Sequence, residues 1–419
     1  MRRANRRRWQ TACGGDDRPL GSAGLLVSIL TMKPTNPIFT GLPTTIFEVM
    51  SGLARETGAI NLGQGFPDID GPEDVRRVAA EAFLAGPNQY PPMMGLPALR
   101  QAVAAINKRF YGLDVDWQTE VMVTSGATEA LADAILGLVR PGDEVVLIEP
   151  LYDSYLPIVR QAGGVAKPVR IAPPNWELDP QALAAAFSDR TKAILINTPM
   201  NPAGKVFSRD ELELIAGLCQ KHDAVVIADE VYEHLVFDGK RHISPIQIPG
   251  MRDRVVRIGS AGKTFSLTGW KVGYVTAAPA LMEPIAKAHQ FVTFTTPPAL
   301  QTAVAHGLSF GDDYFEGFVY GLQAKRDRLS KGLSMLGFSV LPSAGTFFVV
   351  TDTGPLGMDD DAEACLRMTR EAGVAAVPVS AFYASEPPKR YIRFCFSKRD
   401  EVLDEAIARL AAWIDKQGR

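Results

Sequence analysis

Lys263 is the residue of this chain whose setting most invites chemistry. It lies in Gly259-Ser260-Ala261-Gly262-Lys263-Thr264, among small residues, directly after the apolar run Val255–Ile258, and Phe265, Leu267 and Trp270 follow closely. A lysine in such surroundings is partly desolvated, its pKa falls, and the free amine can attack a carbonyl. Lys271 comes eight residues later and adds a second cation. Three more polar clusters also follow apolar runs. After Val121–Thr124 comes Ser125-Gly126-Ala127-Thr128-Glu129, a small-residue turn opening a helix. Its free backbone N–H groups, the helix dipole and the Thr128 hydroxyl would bind a phosphate. After Ala193–Asn197 comes Thr198–Gly204, a turn rich in proline and glycine that contains Asn201. After Ala224–Ala228 comes Asp229, which by itself reads as a helix N-cap and, if buried as a carboxylate, needs a cationic partner. Together, a nucleophilic lysine, a carboxylate, amide and hydroxyl donors and a phosphate cup are what pyridoxal phosphate requires. The lysine would form the Schiff base, the carboxylate would keep the pyridine nitrogen protonated so that the ring is an electron sink, and the cup would hold the phosphate.

The elements that position these groups alternate. Helices are expected over Pro72–Leu84, Leu96–Phe110, Ala127–Leu138, Pro180–Phe187 and Arg209–His222. Strands are expected over Val121–Thr124, Glu144–Ile148, Val165–Ile171, Ala193–Asn197, Ala224–Ala228, Val255–Ile258 and Val272–Thr276. This pattern predicts an α/β fold with a mostly parallel sheet between helices, where ligands gather at the carboxyl ends of the strands. From about Gly311 the rhythm changes. A long helix (Asp312–Leu336) precedes strands near Phe338–Leu341 and Thr346–Thr351, then a helix (Asp361–Ala372), a strand (Tyr391–Phe396) and a last helix (Arg399–Lys416). That reads as a smaller α+β domain.

Composition is that of a globular protein, with 419 residues, 46% hydrophobic and 22% charged. The net charge is −3; residues 1–31 hold six arginines and two aspartates, a local +4, so the other 388 carry −7. Such an acidic body argues against nucleic acid as a partner, and no apolar run of eighteen residues points to a membrane. Four scattered cysteines without a CxxC suit a reducing, cytoplasmic setting. The five histidines show no ligand-like spacing, so no metal is expected. Residues 1–31 read as a tail, or as sequence ahead of a start at Met32, outside the fold.

Seven segments in order resemble the fold-type I, class I/II aminotransferases: Asn61–Asp68, Gln89-Tyr90-Pro91, Ser125–Ala130, Asn201–Gly204, Ala228–Tyr232, Ser260–Ser266 and Tyr391–Phe394. The likeness spans about residues 33–415. Asn61–Asp68 and Gly259–Gly273 are most similar to the kynurenine/glutamine and methionine aminotransferase subgroup. The resemblance implies a pyridoxal-phosphate enzyme that moves an amino group between an amino acid and a 2-oxo acid by ping-pong kinetics. It implies Lys263 as the Schiff-base lysine and proton carrier, Asp229 at the pyridinium nitrogen, Tyr232 and Asn201 at the ring 3-oxygen, and Tyr152 stacked on the ring. Gly126, Ala127, Thr128, Ser260 and Lys271 would hold the phosphate, and Lys271 stands where many relatives use arginine. Arg393, with Asn201 and the Gly65 backbone, would grip the substrate carboxylate. Tyr90 would reach the phosphate of a neighbouring subunit, making a homodimer with shared sites. Cis peptides are implied before Pro150 and Pro202. The implied domains are an arm over 32–70 that contributes to the small domain, a large cofactor domain over 71–310 and the small domain over 311–419.

The motifs identify the cofactor more firmly than the substrate. A β-lyase acting on cysteine conjugates and a 1-aminocyclopropane-carboxylate-synthase-like enzyme could use the same site. A transcriptional regulator with an aminotransferase-like sensor would need an N-terminal DNA-binding domain, for which thirty-one residues are too few. No second cation for a distal carboxylate can be placed. Phe47, Phe294, Thr295 and Phe347 are pocket candidates that favour an aromatic, methionine-like or glutamine-like side chain. N-succinyl-diaminopimelate aminotransferase activity is the alternative.

Overall fold

The structure, a computed structural model, describes residues 33–418. Residues 1–31, with the basic tail, lie outside the described residues. Lys33–Gly41 belongs to a unit separate from the remainder and contains one short helix, Pro37–Thr40, whose N-cap Asn36 accepts from the Ile38 N–H at 3.0 Å.

From Leu42 onward the chain forms thirteen strands and their helices. Strand β1 (Ile60–Asn61) comes first, followed by β2 (Val121–Thr124), β3 (Glu144–Glu149), β4 (Val165–Arg170), β5 (Thr191–Asn197), β6 (Val225–Asp229), β7 (Val255–Ser260) and β8 (Gly273–Ala277). Strands β2–β8 form one sheet in the order β2-β8-β7-β6-β5-β3-β4. β8 runs antiparallel to both neighbours and every other pair is parallel. The apolar runs split by alternation, as the two faces of a strand require. Val145, Leu147, Leu195 and Ile227 pack on one face with Ala134, Ile135 and Ile285. Val146, Ile148, Ile194 and Val226 pack on the other with Leu212, Ile215 and Cys219. Helices Gly126–Leu138 and Pro279–Val292 cover the first face and Arg209–Lys221 the second, so the sheet is buried on both sides. The last of these helices begins with a capping box between Ser208 and Glu211.

The rest of the fold follows the long helix Asp312–Met335. Strands β9 (Ser339–Val340), β10 (Phe348–Asp352), β12 (Val377–Pro378) and β13 (Tyr391–Cys395) form an antiparallel sheet in the order β12-β13-β10-β9, and β11 (Val374–Ala375) pairs in parallel with β1. The expected helix Asp361–Ala372 is α-helical only to Arg367; Met368–Ala372 is a π-turn closed by Gly373 in the left-handed region. Helices Pro279–Val292 and Pro298–Leu308 and the arm helix Ile46–Thr57 add to the expected set.

Candidate active site

The register of the large sheet assembles the site. Asn197 pairs with Asp229, the last residues of β5 and β6, and Asp229 pairs with Ile258, two residues before the end of β7. Gly273 on β8 pairs with Thr124 on one side and Ser260 on the other. The turn after β2, the end of β7 and the residues just before β8 therefore converge. Glycine is required there: a Cβ on Gly273 would stand 2.6 Å from the Gly126 carbonyl carbon.

A cavity of about 230 Å³ opens at these strand ends. Its lining includes Gly126, Ala127, Thr128, Tyr152, Asn201, Asp229, Tyr232, Ser260, Lys263 and Lys271, which are ten of the eleven expected cofactor-binding residues. The eleventh, Tyr90, is 83% exposed and lies outside it, edge-on to Phe294 at 5.6 Å. Gly126 opens its helix at φ +76°, and a Cβ there would sit 3.3 Å from Lys271 Nζ. N–H donors, a hydroxyl and a cation thus border one end of the cavity, while the Asp229 carboxyl and the Lys263 amine border the rest. This donor set fits a phosphorylated pyridine aldehyde.

Burial pushes the Lys263 amine down to about 8, against the pull of Asp229. Its Nζ lies 3.4 Å from the Gly65 carbonyl oxygen and 5.6 Å from the Tyr232 ring centre. Burial pushes the Asp229 carboxyl up to about 6, although the Tyr155 hydroxyl, the Val231 N–H and Lys263 all favour its charged form. Asp229 caps no helix, because Val231–His234 is a run of turns rather than a helix start. Its Oδ1 accepts from the Val231 N–H at 3.3 Å and its Oδ2 from the Tyr155 hydroxyl at 2.5 Å.

Arg393 stands on β13 between β10 and β12 and is 1% exposed. It donates to Asn201 Oδ1 at 2.7 Å and to the Gly63 carbonyl, and lies 3.9 Å from the centre of the Phe348 ring. Burial lowers it to about 10, and its Nε has no hydrogen-bond partner among the described residues. A buried guanidinium with an unused donor is poised for an anion. Gly65 is held close to this centre, since a Cβ there would stand 2.4 Å from the Phe348 ring.

Two residues absent from the sequence-based set complete the site. Tyr155 holds Asp229, as described. Asn197 donates to the Asp229 carbonyl at 2.9 Å and accepts from the Asn201 N–H at 2.7 Å, fixing the turn that carries Asn201. Of the pocket candidates, Phe47 lies 5.2 Å from the Arg393 guanidinium and Phe347 is fully buried beside Tyr232. Phe294 and Thr295 lie in the segment beside Tyr90. The implied cis peptides before Pro150 and Pro202 are present, together with others before Pro87, Pro174 and Pro199.

Known proteins share this architecture. The chain is 46% identical over 384 residues to a probable N-succinyldiaminopimelate aminotransferase of Mycobacterium tuberculosis, covering 89% of this chain and 97% of that one. It is 40% identical over 399 residues to human kynurenine–oxoglutarate transaminase 1, covering 86% and 94%. The solved structure of an Escherichia coli protein identified as a methionine aminotransferase superposes with a TM-score of 0.88 at 40% identity, covering 91% of this chain and all of that one. The family model described as aminotransferase class I and II matches residues 57–410. The chain therefore belongs to the class I and II aminotransferases and is a transaminase that works with pyridoxal phosphate.

Proposed function

We propose that this transaminase takes its amino group from L-amino acids with uncharged aromatic, methionine-like or glutamine-like side chains and passes it to a 2-oxo acid. The observation that carries this reading is a second cavity, of about 540 Å³, that shares Tyr152 as a wall with the first. Leu42, Ile46, Val49, Leu151 and Phe382 line it, and Asp153 is the one charged lining residue. A side-chain carboxylate would meet Asp153 and no cation there, which discriminates against dicarboxylic donors. Phe47, edge-on to Phe382 at 5.8 Å, adds an aromatic surface suited to rings and thioethers.

When bound, pyridoxal phosphate supplies the electron sink that makes the substrate Cα–H acidic. Lys263 would carry the cofactor and serve as the base that removes the substrate Cα proton and delivers it to the cofactor's aldehyde carbon; an amine lowered by burial suits a base near neutral pH. Asp229 would pair with the pyridine nitrogen, Tyr232 and Asn201 would bond the ring oxygen, and Tyr152 would pack on the ring. Gly126, Ala127, Thr128, Ser260 and Lys271 would hold the phosphate. Arg393, with Asn201 and Gly65, orients the substrate carboxylate. Both half-reactions use one site, so the kinetics are ping-pong.

The working unit in this reading is a homodimer. Tyr90 and Phe291 are each 83% exposed, and this apolar surface supports a second copy that receives Tyr90 at its phosphate. The sheets support a large cofactor domain over 71–310 and a small domain over 311–419, which the arm joins through the β1–β11 pair. Cys219, Cys365 and Cys395 are buried free thiols, which supports a cytoplasmic setting. No described helix is long and apolar enough to cross a membrane.

The identity to the M. tuberculosis relative favours a second reading, with N-succinyl-diaminopimelate as the donor. A donor panel of methionine, glutamine, phenylalanine, kynurenine, aspartate and N-succinyl-diaminopimelate against several 2-oxo acids separates the two. Methionine, glutamine or an aromatic donor should lead in kcat/KM. A clear lead for the succinylated donor would replace the first reading with the second. Release of pyruvate and ammonia from a β-substituted cysteine, without conversion of the cofactor to its amine form, would point to the lyase instead.

A further inference from the structure

His289 is fully buried on helix Pro279–Val292, outside the cavity, and no catalytic role accounts for it. Its Nδ1 lies 2.8 Å from Glu129 Oε1 and 3.6 Å from Asp133 Oδ2, and its Nε2 lies 3.0 Å from the Met93 carbonyl oxygen. All these partners are acceptors, so both ring nitrogens carry hydrogen and the ring is an imidazolium. Glu129 and Asp133 stand one turn apart on helix Gly126–Leu138, whose first turn borders the phosphate end of the cavity. The other Glu129 oxygen accepts from the Ser125 N–H, immediately before Gly126. Asp133 is fully buried, and neither of its oxygens has a hydrogen-bond partner.

Two buried carboxylates behind a phosphate cup oppose the anion that the cup must hold, unless a cation offsets them. His289 is that cation. Burial works against its charged form, yet Asp133 and Glu129 together raise its pKa to about 9. Glu129 is held below the usual carboxylate range by His289 in spite of burial, while burial pushes Asp133 up to about 6. His289 also reaches the segment that carries Tyr90. Its ring bonds the Met93 carbonyl, Met94 is stitched to β2 through the Val123 N–H, and its own carbonyl accepts from Thr293 and from Phe294, the ring against Tyr90.

We propose that His289 is a positioning residue for the cofactor phosphate, cancelling the charge of Glu129 and Asp133 behind the cup and tying the Ser125–Gly126 turn to the loop that carries Tyr90. The proposal rests on the placement of the phosphate at Gly126–Thr128. The same three side chains bring ligand atoms within 4.8 Å of one another, the spacing of a cation site. Both imidazole nitrogens are already committed as donors, however, and a 2.8 Å nitrogen–oxygen contact is hydrogen-bond spacing.

The test uses the full-length protein with pyridoxal phosphate. H289Q should weaken cofactor binding at least tenfold by equilibrium dialysis and shift the 31P resonance of the bound phosphate. Adding D133N to H289Q, compared at alkaline pH where Asp133 stays ionised, removes the unpaired charge and should recover part of the affinity. Where H289Q does not fold, E129Q decides, because a glutamine has one acceptor oxygen and cannot accept from both the Ser125 N–H and His289, which breaks the tie between them; a weakened affinity and a 31P shift are expected. The proposal is overturned if H289Q, or E129Q in its place, lowers only the melting temperature and leaves affinity and the 31P shift unchanged. It is also overturned if metal analysis finds a stoichiometric cation that D133N removes. K271A is the control. If it weakens cofactor binding while the His289 variants do not, this inference fails alone, and if neither does, the phosphate placement fails with it.

Discussion

The Tyr155 hydroxyl donates to Asp229 Oδ2 at 2.5 Å, and the Tyr155 ring meets that of Tyr152 edge-on at 5.8 Å. The pair matters because Asp229 is 4% exposed and burial already favours its neutral form. Removing the hydroxyl leaves burial less opposed, so the carboxyl pKa rises and the charge available to a pyridinium falls. A hydrogen bond to a charged group is worth about 1.5–3 kcal/mol, and each 1.36 kcal/mol is about tenfold in rate. Tyr155→Phe should therefore lower kcat by about ten- to a hundredfold with little change in donor KM. Steady-state kinetics on a variant with unchanged circular dichroism checks this, and an unchanged kcat would deny Tyr155 the role.

Tyr155 also shows what the sequence conceals. The strands that carry chemistry are legible because apolar runs end in Thr124, Asn197, Asp229 and Ser260, and Val121–Thr124 is found with the expected bounds. The polar groups beyond those ends are legible for the same reason. Tyr155 is not, because its importance arises from a contact 74 residues away. His289 is hidden in the same way, with Glu129 160 residues from it along the chain. Asp229 misleads as an N-cap because its flanking residues allow a helix start, and only the packing of Tyr155 and Val231 against it shows otherwise. The helix Asp361–Ala372 reads as continuous because a π-turn keeps its apolar periodicity.

Gly126 is held at φ +76° with Lys271 close over the place where a Cβ would stand. An L side chain in the left-handed region costs roughly 1–2 kcal/mol, and the displaced ammonium adds to this. Gly126→Ala should weaken pyridoxal phosphate binding about tenfold or more, measured by fluorescence titration of the cofactor-free protein. Equal affinity would show that the turn does not meet the phosphate.

Arg393 holds Asn201 and the Gly63 carbonyl with two nitrogens and keeps Nε unpaired. Lysine in its place retains a charge but has no fork. Arg393→Lys should raise donor KM by about ten- to a hundredfold, the loss of one charge-assisted hydrogen bond of about 1.5–3 kcal/mol. Cofactor affinity should stay within about twofold, because Arg393 is absent from the lining of the cofactor cavity. A matching loss of cofactor affinity would move Arg393 from the substrate to the cofactor.

In the proposed role of Lys263, its amine should set the pH behaviour of cofactor uptake. An exposed lysine titrates near 10.4, whereas burial brings this amine down to about 8, with Arg393 and Lys271 pushing the same way and Asp229 opposing. The protonated amine has no lone pair for the cofactor aldehyde, so uptake by the cofactor-free protein should rise about tenfold per pH unit below 8 and level off above it. The absorbance change on mixing measures this directly, and a rate that climbs to pH 10 would show that the amine is not desolvated. Replacing Asp229 with asparagine removes the charge that opposes the shift. In Asp229→Asn the plateau should begin at lower pH than in the parent protein, and a move to higher pH would contradict the electrostatic coupling of the two residues.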